Sequence, residues 1–266
     1  MSEIGLLQWL QKKHLRTPKT IRKPNLKSGI NRQFEVADIT HAYFDDFPST
    51  YSKLLNTSIW FSGEKDTYFD LYKLSCLRRW VRGSEQTGLI LDFGCGIGKL
   101  ANLMAQEYAR AFIYGYDVSD KSVESAREKW GHMKNLVFNT RLPDAKTFDL
   151  ITVANVFHHI KRGNRQQTLF RLKALLKPGG IIAVFEHNPF NPLTLYVAKT
   201  CPLDADADLI RLGRFIKLAR DSGLVVRFKR YIVFLPKFLS LFRKLEHSFG
   251  FLPLGAQYMV LLSKDR

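Results

Sequence analysis

The sequence predicts an α/β fold in which helices cover both faces of a mostly parallel sheet. Short apolar segments alternate with helical patterns through the middle of the chain, which is the order that βαβ units produce. The last third adds two more apolar strands around a further helical pattern. The predicted strands are residues 89–93, 112–116, 136–139, 148–154, 181–186, 224–234 and 257–263. The predicted helices are residues 99–108, 121–130, 165–176 and 209–222.

Length and composition divide the chain into three parts. Its 266 residues, 45% of them hydrophobic, suffice for one large domain with an appendage. Residues 1–33 form a basic arm, residues 34–86 a helical cap with apolar residues at three- and four-residue spacing, and residues 87–266 the α/β domain. The 3 cysteines are too widely spaced for a disulfide framework, and no apolar stretch is long enough to span a bilayer. We therefore expect a cytoplasmic protein.

The charge of the chain favours anionic partners. Its 41 Lys and Arg residues exceed its 24 Asp and Glu residues, for a net charge of +17. Nucleic acid and an acidic membrane surface both fit this charge, which does not choose between them. Residues 236–249 place Phe238, Leu241 and Phe242 on one helical face beside basic residues. Such a pattern is typical of a core helix or of a helix lying in lipid headgroups, so membrane association is a hypothesis.

A glycine turn follows the first predicted strand, with the sequence Asp-Phe-Gly-Cys-Gly-Ile-Gly at Asp92–Gly98. Glycines there permit unusual backbone angles and let a ligand approach bare backbone. A dinucleotide fingerprint needs a small residue where Lys99 stands, and no Gly-Lys-Ser/Thr of a P-loop follows. The carboxyl group of Asp92 favours a cationic ligand without phosphate, as S-adenosylmethionine is. Asp117, which ends the second strand, can accept hydrogen bonds from ribose hydroxyls.

Five motifs together resemble the class I S-adenosylmethionine-dependent methyltransferases, and most nearly the ubiquinone/menaquinone-type and "type 11" small-molecule group. They are Asp92–Gly98, Asp117, Phe148–Ile151, Phe157–Ile160 and Leu176–Gly180. The resemblance covers residues 87–266 and implies a Rossmann-like sheet of seven strands, mostly parallel with an antiparallel last strand. It implies cofactor contacts from Asp92, Gly94, Cys95, Gly96, Gly98, Asp117, Val118 and Asn155. Where the family has an acid that binds the adenine amino group, this chain has Asn139 and Thr140.

Methyl transfer requires little chemistry from the protein. The reaction is an in-line displacement at a carbon activated by positive sulfur, so the protein aligns the acceptor and removes its proton. The candidate bases follow the fourth and fifth strands and are His158, His159, Glu186 and His187. A structural role for the histidine pair in anchoring a loop is the alternative. We expect no metal at this pair, because adjacent side chains seldom point together and no third ligand is apparent.

The leading hypothesis is methylation of a small-molecule or lipid- or glycan-linked acceptor, with residues 34–85 and 188–208 capping the pocket. Glu186–Thr194 superficially resembles a loop of nucleic-acid methyltransferases but follows the fifth strand instead of the fourth, and we predict a rigid loop there that leads into the substrate lid. A tRNA or rRNA methyltransferase is the weaker alternative, favoured by charge but lacking a recognisable RNA-binding module. A third alternative is a protein that binds the cofactor without turnover.

Overall fold

The computed structural model describes residues 45, 47–81, 88–143 and 147–265. The predicted basic arm of residues 1–33 lies outside the described residues, as does the first part of the predicted cap. The described part of the chain folds around one sheet of seven strands in the order β3-β2-β1-β4-β5-β7-β6. The strands are β1 Leu89–Phe93, β2 Phe112–Tyr116, β3 Leu136–Asn139, β4 Phe148–Ala154, β5 Leu176–His187, β6 Leu224–Ile232 and β7 Gln257–Lys264.

Strand direction confirms the predicted fold class. Strands β1 to β5 pair in parallel, whereas β7 is antiparallel to both β5 and β6. The helices are α1 Tyr51–Ser58, α2 Asp66–Trp80, α3 Lys99–Glu107, α4 Asp120–Trp130, α5 Arg165–Leu175, α6 Pro192–Thr200 and α7 Leu212–Asp221. Because the carboxyl ends of the parallel strands meet at one edge, the turns after β1, β2, β4 and β5 lie together there.

Helix α2 of the cap packs into one of the two large apolar clusters of the molecule. Leu74 and Leu77 of α2 are buried in the same apolar cluster as Leu100 and Met104 of α3. Helix α2 therefore lies across the first βα unit, and its amino-terminal turn reaches the edge of the sheet where the glycine turn lies.

Helix α6 was not predicted, and the rigid loop expected over Glu186–Thr194 is wrong at both ends, because Glu186 and His187 belong to β5 and α6 begins at Pro192. Asn191 caps the helix by accepting a hydrogen bond from the backbone N–H of Thr194 at 3.0 Å, and Pro192 occupies the first helical position. An Asn-Pro pair is a recognised signal for a helix start, so the sequence did contain the information.

Strand β5 begins at Leu176, five residues before the predicted start. Phe148 pairs with Leu176 and Leu150 with Ile181, so the intervening Lys-Pro-Gly-Gly residues form a bulge within the strand. Gly179 makes this possible because its φ of +78° lies in the left-handed region.

The segment Lys237–Ser248 is a 3-10 helix with a kink at Leu239, and it does not pack its apolar side chains on the sheet. Phe238 is 78% exposed and Leu241 89% exposed, so the core-helix interpretation of this segment is wrong. The buried carboxylate of Glu246 holds the segment, accepting hydrogen bonds from the Tyr72 hydroxyl at 2.8 Å and the Leu235 N–H at 2.8 Å. Among the described residues, no helix has the length and apolar character required to cross a bilayer.

Asn188 connects the end of β5 to the chain before β7, and its removal tests this connection. Its side chain is buried, and its Nδ2 donates to the carbonyls of Pro253 at 2.9 Å and Gly255 at 2.7 Å. We predict that Asn188→Ala lowers the free energy of unfolding by about 2 kcal/mol, because buried carbonyls lose their donors. Chemical denaturation measures this loss. The exposed Lys217→Ala is the control and should change stability by less than about 0.5 kcal/mol; equal effects would contradict the account.

Candidate functional site

The glycine turn is attached to the neighbouring strand β2 by backbone hydrogen bonds. The N–H groups of Gly94 and Cys95 both donate to the carbonyl of Tyr116, at 2.7 and 2.9 Å. Gly94, Gly96 and Gly98 adopt φ values of +74°, +51° and +78°, a region in which residues with a Cβ are strained. The chain can therefore leave β1, turn sharply and enter α3 only with glycine at these positions.

The three glycines of the turn have different surroundings. A Cβ on Gly94 would lie 2.4 Å from the Val156 side chain, and one on Gly98 would lie 2.6 Å from Phe138. A Cβ on Gly96 would meet no protein atom within 4 Å. Gly94 and Gly98 are thus required by protein packing, whereas Gly96 presents bare backbone to open space.

That open space is a cavity at the carboxyl edge of the sheet. Most of the predicted cofactor contacts line it, namely Asp92, Gly94, Cys95, Gly96, Asp117, Val118 and Asn155. Three predicted contacts do not line it in the described part of the chain. Gly98 is the N-cap residue of α3. Asn139 is the last residue of β3, its carbonyl accepts the Asp117 N–H at 3.3 Å, and Thr140 follows it.

Asp117 orders the backbone on both sides of the cavity. Its Oδ2 accepts the N–H of Gly96 at 2.7 Å and its Oδ1 accepts the N–H of Ser119 at 3.0 Å. Burial raises the pKa of this carboxyl, while the backbone donors oppose the rise. Each carboxylate oxygen can accept more than one hydrogen bond, so the group retains capacity for a ligand hydroxyl.

Asp92 places an unsatisfied oxygen beneath the turn. Its Oδ1 accepts the Thr152 hydroxyl at 2.7 Å, whereas its Oδ2 is buried and has no hydrogen-bond partner. Burial raises the pKa of Asp92 to about 7. A buried acceptor without a donor is costly, so this position fits a ligand that brings N–H donors or positive charge.

Helix α2 contributes charged cavity residues that the sequence did not single out. Asp66, Asp70 and Lys73 line the cavity, and Asp66 forms an ion pair with Lys99. Asp70 lies 3.5 Å from the Lys73 ammonium, and burial raises the pKa of this acid. The i, i+4 spacing of Asp66 and Asp70 on the cap helix was the available signal. The cavity wall is thereby richer in acids than a protein of net charge +17 would suggest.

The ends of β4 and β5 join through a buried ion pair. His158 Nδ1 lies 2.5 Å from Glu186 Oε2, and Glu186 Oε1 accepts the N–H groups of Val156 at 3.0 Å and Phe157 at 2.7 Å. Burial alone would lower the pKa of His158, but the carboxylates of Glu186 and Asp204 raise it to about 10. Neither His158 nor Glu186 lines the cavity among the described residues, and their contacts connect the segment after β4 to the end of β5.

The other two candidate bases, His159 and His187, do line the cavity, together with Asp204. Asp204 belongs to the short segment Pro202–Asp204 after α6 and was missed by sequence reasoning. Its carboxylate lies 3.5 Å from His158 Nε2, 3.7 Å from His159 Nε2 and 3.8 Å from His187 Nε2. Burial lowers the pKa of His187 to about 4. The sequence provided two grounds against a metal at this pair, and the structure departs from both. The adjacent rings of His158 and His159 approach one carboxylate, and Asp204 supplies a third potential ligand.

Comparisons with known proteins agree with this geometry. Residues 91–182 match the family described as "Methyltransferase domain". A ubiquinone biosynthesis O-methyltransferase from Bordetella avium is 29% identical, over 62% of this chain and 75% of its own length. A malonyl-[acyl-carrier protein] O-methyltransferase from Ilyobacter polytropus is 27% identical, over 52% of this chain and 53% of its own length. The chain therefore spans only about half the length of the latter relative.

Solved structures share the fold at low sequence identity. Magnesium protoporphyrin IX methyltransferase from Synechocystis PCC 6803, crystallised with bound SAM, superposes with a TM-score of 0.59 over 89% of this chain and 100% of that one, at 15% identity. Residues 91–182 thus match a methyltransferase domain, and the described part of the chain shares the fold of a solved methyltransferase.

Proposed function

We propose that the chain is a methyltransferase that uses S-adenosylmethionine. The observation that carries this proposal is the pairing of open backbone at Gly96 with the unsatisfied Oδ2 of Asp92 in one cavity. The cofactor has an α-amino group and a sulfonium but no phosphate, so it supplies positive charge where the cavity has an unpaired acid. Bound there, it supplies an electrophilic methyl group.

In this proposal, different residues of the cavity bind different parts of the cofactor. Asp92 binds the amino group, the backbone of the turn and Asn155 contact the methionine portion, and Asp117 binds the ribose. Cys95 and Val118 enclose the adenosine. The positions of these side chains in the cavity lining and their hydrogen-bonding capacity support this proposed arrangement.

The lining of the cavity away from the turn supports turnover over binding alone, because its apolar wall and polar end suit an acceptor molecule. Part of the cavity wall from the cap and α6 is apolar, beside the charged residues of α2, and includes Tyr51, Leu55, Phe69, Val197 and Leu203. Its polar end is formed by His159, His187 and Asp204. We infer an acceptor that is largely apolar, whose oxygen or nitrogen lies at the polar end. There the acceptor attacks the methyl group, the bond to sulfur breaks, and a histidine takes the acceptor proton.

A lipid-linked acceptor is favoured by an apolar face next to the cavity. The apolar face comprises Trp60, Phe190, Leu193, Tyr196, Phe238, Leu241, Phe242, Leu245, Phe251 and Leu254, all exposed. Neighbouring residues link the segments that carry it. The ring of Phe61 meets that of Tyr196 edge to face at 6.1 Å, Asn191 Nδ2 donates to the Leu254 carbonyl at 2.7 Å, and Arg243 forms an ion pair with Glu64. Helix α6 carries part of this face and also lines the cavity through Val197.

The charges around the apolar face indicate which partner covers it. Lys199, Lys237 and Lys244 are exposed there, while the acids Glu64 and Glu246 are buried. Apolar side chains beside lysines match a bilayer surface with anionic headgroups. We infer that this face binds such a membrane and draws a lipid-linked acceptor from it; an RNA partner would use phosphate contacts and would have no use for the exposed leucines and phenylalanines.

Gly96→Ala tests the cofactor position, and Gly179→Ala is its matched control. Both glycines have positive φ and open space around the missing Cβ, but only Gly96 borders the cavity. We predict that both variants lose about 1 kcal/mol of stability from backbone strain. Only Gly96→Ala should lose affinity for S-adenosylmethionine, by more than about 10-fold, or about 1.4 kcal/mol. Calorimetry measures the affinity; unchanged binding by Gly96→Ala would place the cofactor elsewhere.

Asp92→Asn should weaken cofactor binding and also abolish its dependence on pH. The charged groups that face Asp92 are Asp70, Lys73 and Asp117, and its pKa of about 7 means that it is mostly protonated at pH 5.5. We predict that affinity for the cofactor rises about 10-fold between pH 5.5 and 7 in the unsubstituted protein, as the carboxylate forms. The variant should bind weakly at both pH values.

The same substitution should stabilise the protein without cofactor. Because the folded-state pKa of Asp92 lies above its unfolded value, ionisation of this group costs stability as pH rises from 4 toward 7. Asparagine removes that cost, so the melting temperature of Asp92→Asn at pH 8 should exceed that of the unsubstituted chain. Exposed Asp221→Asn is the control for a lost acid. A variant that binds normally would overturn the role of Asp92.

Liposome co-sedimentation tests the apolar face. We predict that the chain sediments with vesicles of phosphatidylcholine and phosphatidylglycerol, and that Phe238→Ser combined with Leu241→Ser abolishes this. Phe170→Ser on α5 is the control, since Phe170 is 49% exposed but lies outside the apolar face. With labelled cofactor and a cell extract, label should enter the lipid fraction. Sedimentation unaffected by the double substitution, or label in RNA only, would contradict the membrane proposal.

A further inference from the structure

We infer a binding site for a divalent transition metal, of the zinc class, formed by His158, His159 and Asp204. One ligand atom from each of these residues lies within 4.8 Å of the other two. Asp204 Oδ1 is 3.5 Å from His158 Nε2 and 3.7 Å from His159 Nε2. The three residues come from the segments after β4 and after α6, so the site depends on the folded chain.

Both histidines are oriented as metal ligands are. His158 Nδ1 lies 2.5 Å from the Glu186 carboxylate, and His159 Nδ1 lies 2.9 Å from Asp206. A carboxylate that accepts the Nδ1 proton fixes the tautomer and leaves Nε2 with its lone pair, which is the usual outer shell of a metal-bound histidine. Here the two Nε2 atoms face the same carboxylate.

The deepest of these nitrogens lacks a hydrogen-bond partner. His158 is about 1% exposed, and its Nε2 is buried without a hydrogen bond in the described structure. Such a group normally finds a partner, because leaving it unsatisfied costs about 1–3 kcal/mol. A metal ion between His158 and Asp204 supplies that partner.

The separations fit zinc with a small adjustment. Zinc binds nitrogen and oxygen at about 2.0–2.2 Å, which puts tetrahedral ligand atoms about 3.4 Å apart. The two separations from Asp204, 3.5 and 3.7 Å, therefore need only a few tenths of an ångström of contraction, and the histidine ligand atoms lie within 4.8 Å of each other. His187 Nε2 lies 3.8 Å from Asp204 Oδ2, on the other oxygen of this carboxylate, and is not one of the three converging ligands. Imidazole and carboxylate ligands suit zinc, and cobalt can substitute for it.

The site lies at the polar end of the cavity, because His159, His187 and Asp204 line it. A zinc ion there would lower the pKa of a hydroxyl that binds to it, and would assist deprotonation of an acceptor in place of a histidine base, because His159 would then be a metal ligand. This consequence rests on the proposed function, whereas the metal site itself does not. The competing account is a protonated His158 held between Glu186 and Asp204 with no metal.

Cobalt binding distinguishes the two accounts. The full chain, stripped with a chelator, is titrated with Co²⁺ while the visible absorption of tetrahedral cobalt is recorded, and Zn²⁺ is then added in competition. We expect one equivalent to bind and Zn²⁺ to displace it. His159→Gln and Asp204→Asn should each weaken binding by more than about 100-fold, and Asp206→Asn, which removes the outer partner of His159, by about 10-fold.

His132→Gln is the matched control, because His132 is exposed and remote from the site. It should bind Co²⁺ as the unsubstituted chain does. Calorimetry of S-adenosylmethionine binding to the stripped protein, performed in parallel, separates failure of the metal site from failure of the cofactor site. Absence of saturable cobalt binding, or equal binding by the Asp204→Asn variant, would overturn the proposal.

Discussion

The site depends on the hydrogen bonds that tie the turn after β1 to the end of β2. The carbonyl of Tyr116 accepts two N–H groups of the turn, and the carboxylate of Asp117 accepts a third, that of Gly96. These bonds hold the glycines in left-handed backbone conformations that would otherwise be strained in any other residue. The bare backbone at Gly96 and the buried oxygen of Asp92 follow from that arrangement.

Local charge in the cavity opposes the charge of the whole chain. The chain carries +17, yet the cavity near the turn contains Asp92, Asp117, Asp66 and Asp70. A cationic cofactor fits this acidic interior, while the exposed lysines lie on the outer surface. The net charge of the chain therefore favoured nucleic acid as a partner without identifying a site, because it reflects the charges of the outer surface and not those of the cavity.

The sequence predicted the structural features that depend on neighbouring residues, such as strand bounds, and missed the cavity residues that distant segments contribute. The bounds of β1 to β4 were predicted because each is a short apolar segment between polar turns. The glycine turn was recognised, but the different roles of Gly96 and Gly98 depend on Phe138, which no local pattern reveals. Asp204 lies 45 residues or more from the histidines it approaches after β4, and Asp70 reaches the cavity only because α2 packs on α3. The exposed face of residues 237–248 likewise depends on tertiary packing, since its pattern also fits a core helix.

The central claim is that a sulfonium-bearing nucleoside lies against the turn from Asp92 to Ile97. A crystal structure of the chain grown with S-adenosylmethionine tests it most directly. The account predicts that the ligand's amino group lies within hydrogen-bond distance of Asp92 Oδ2, and that its ribose hydroxyls lie at Asp117. Ligand density elsewhere in the molecule, or a cofactor whose amino group faces away from Asp92, would contradict the account.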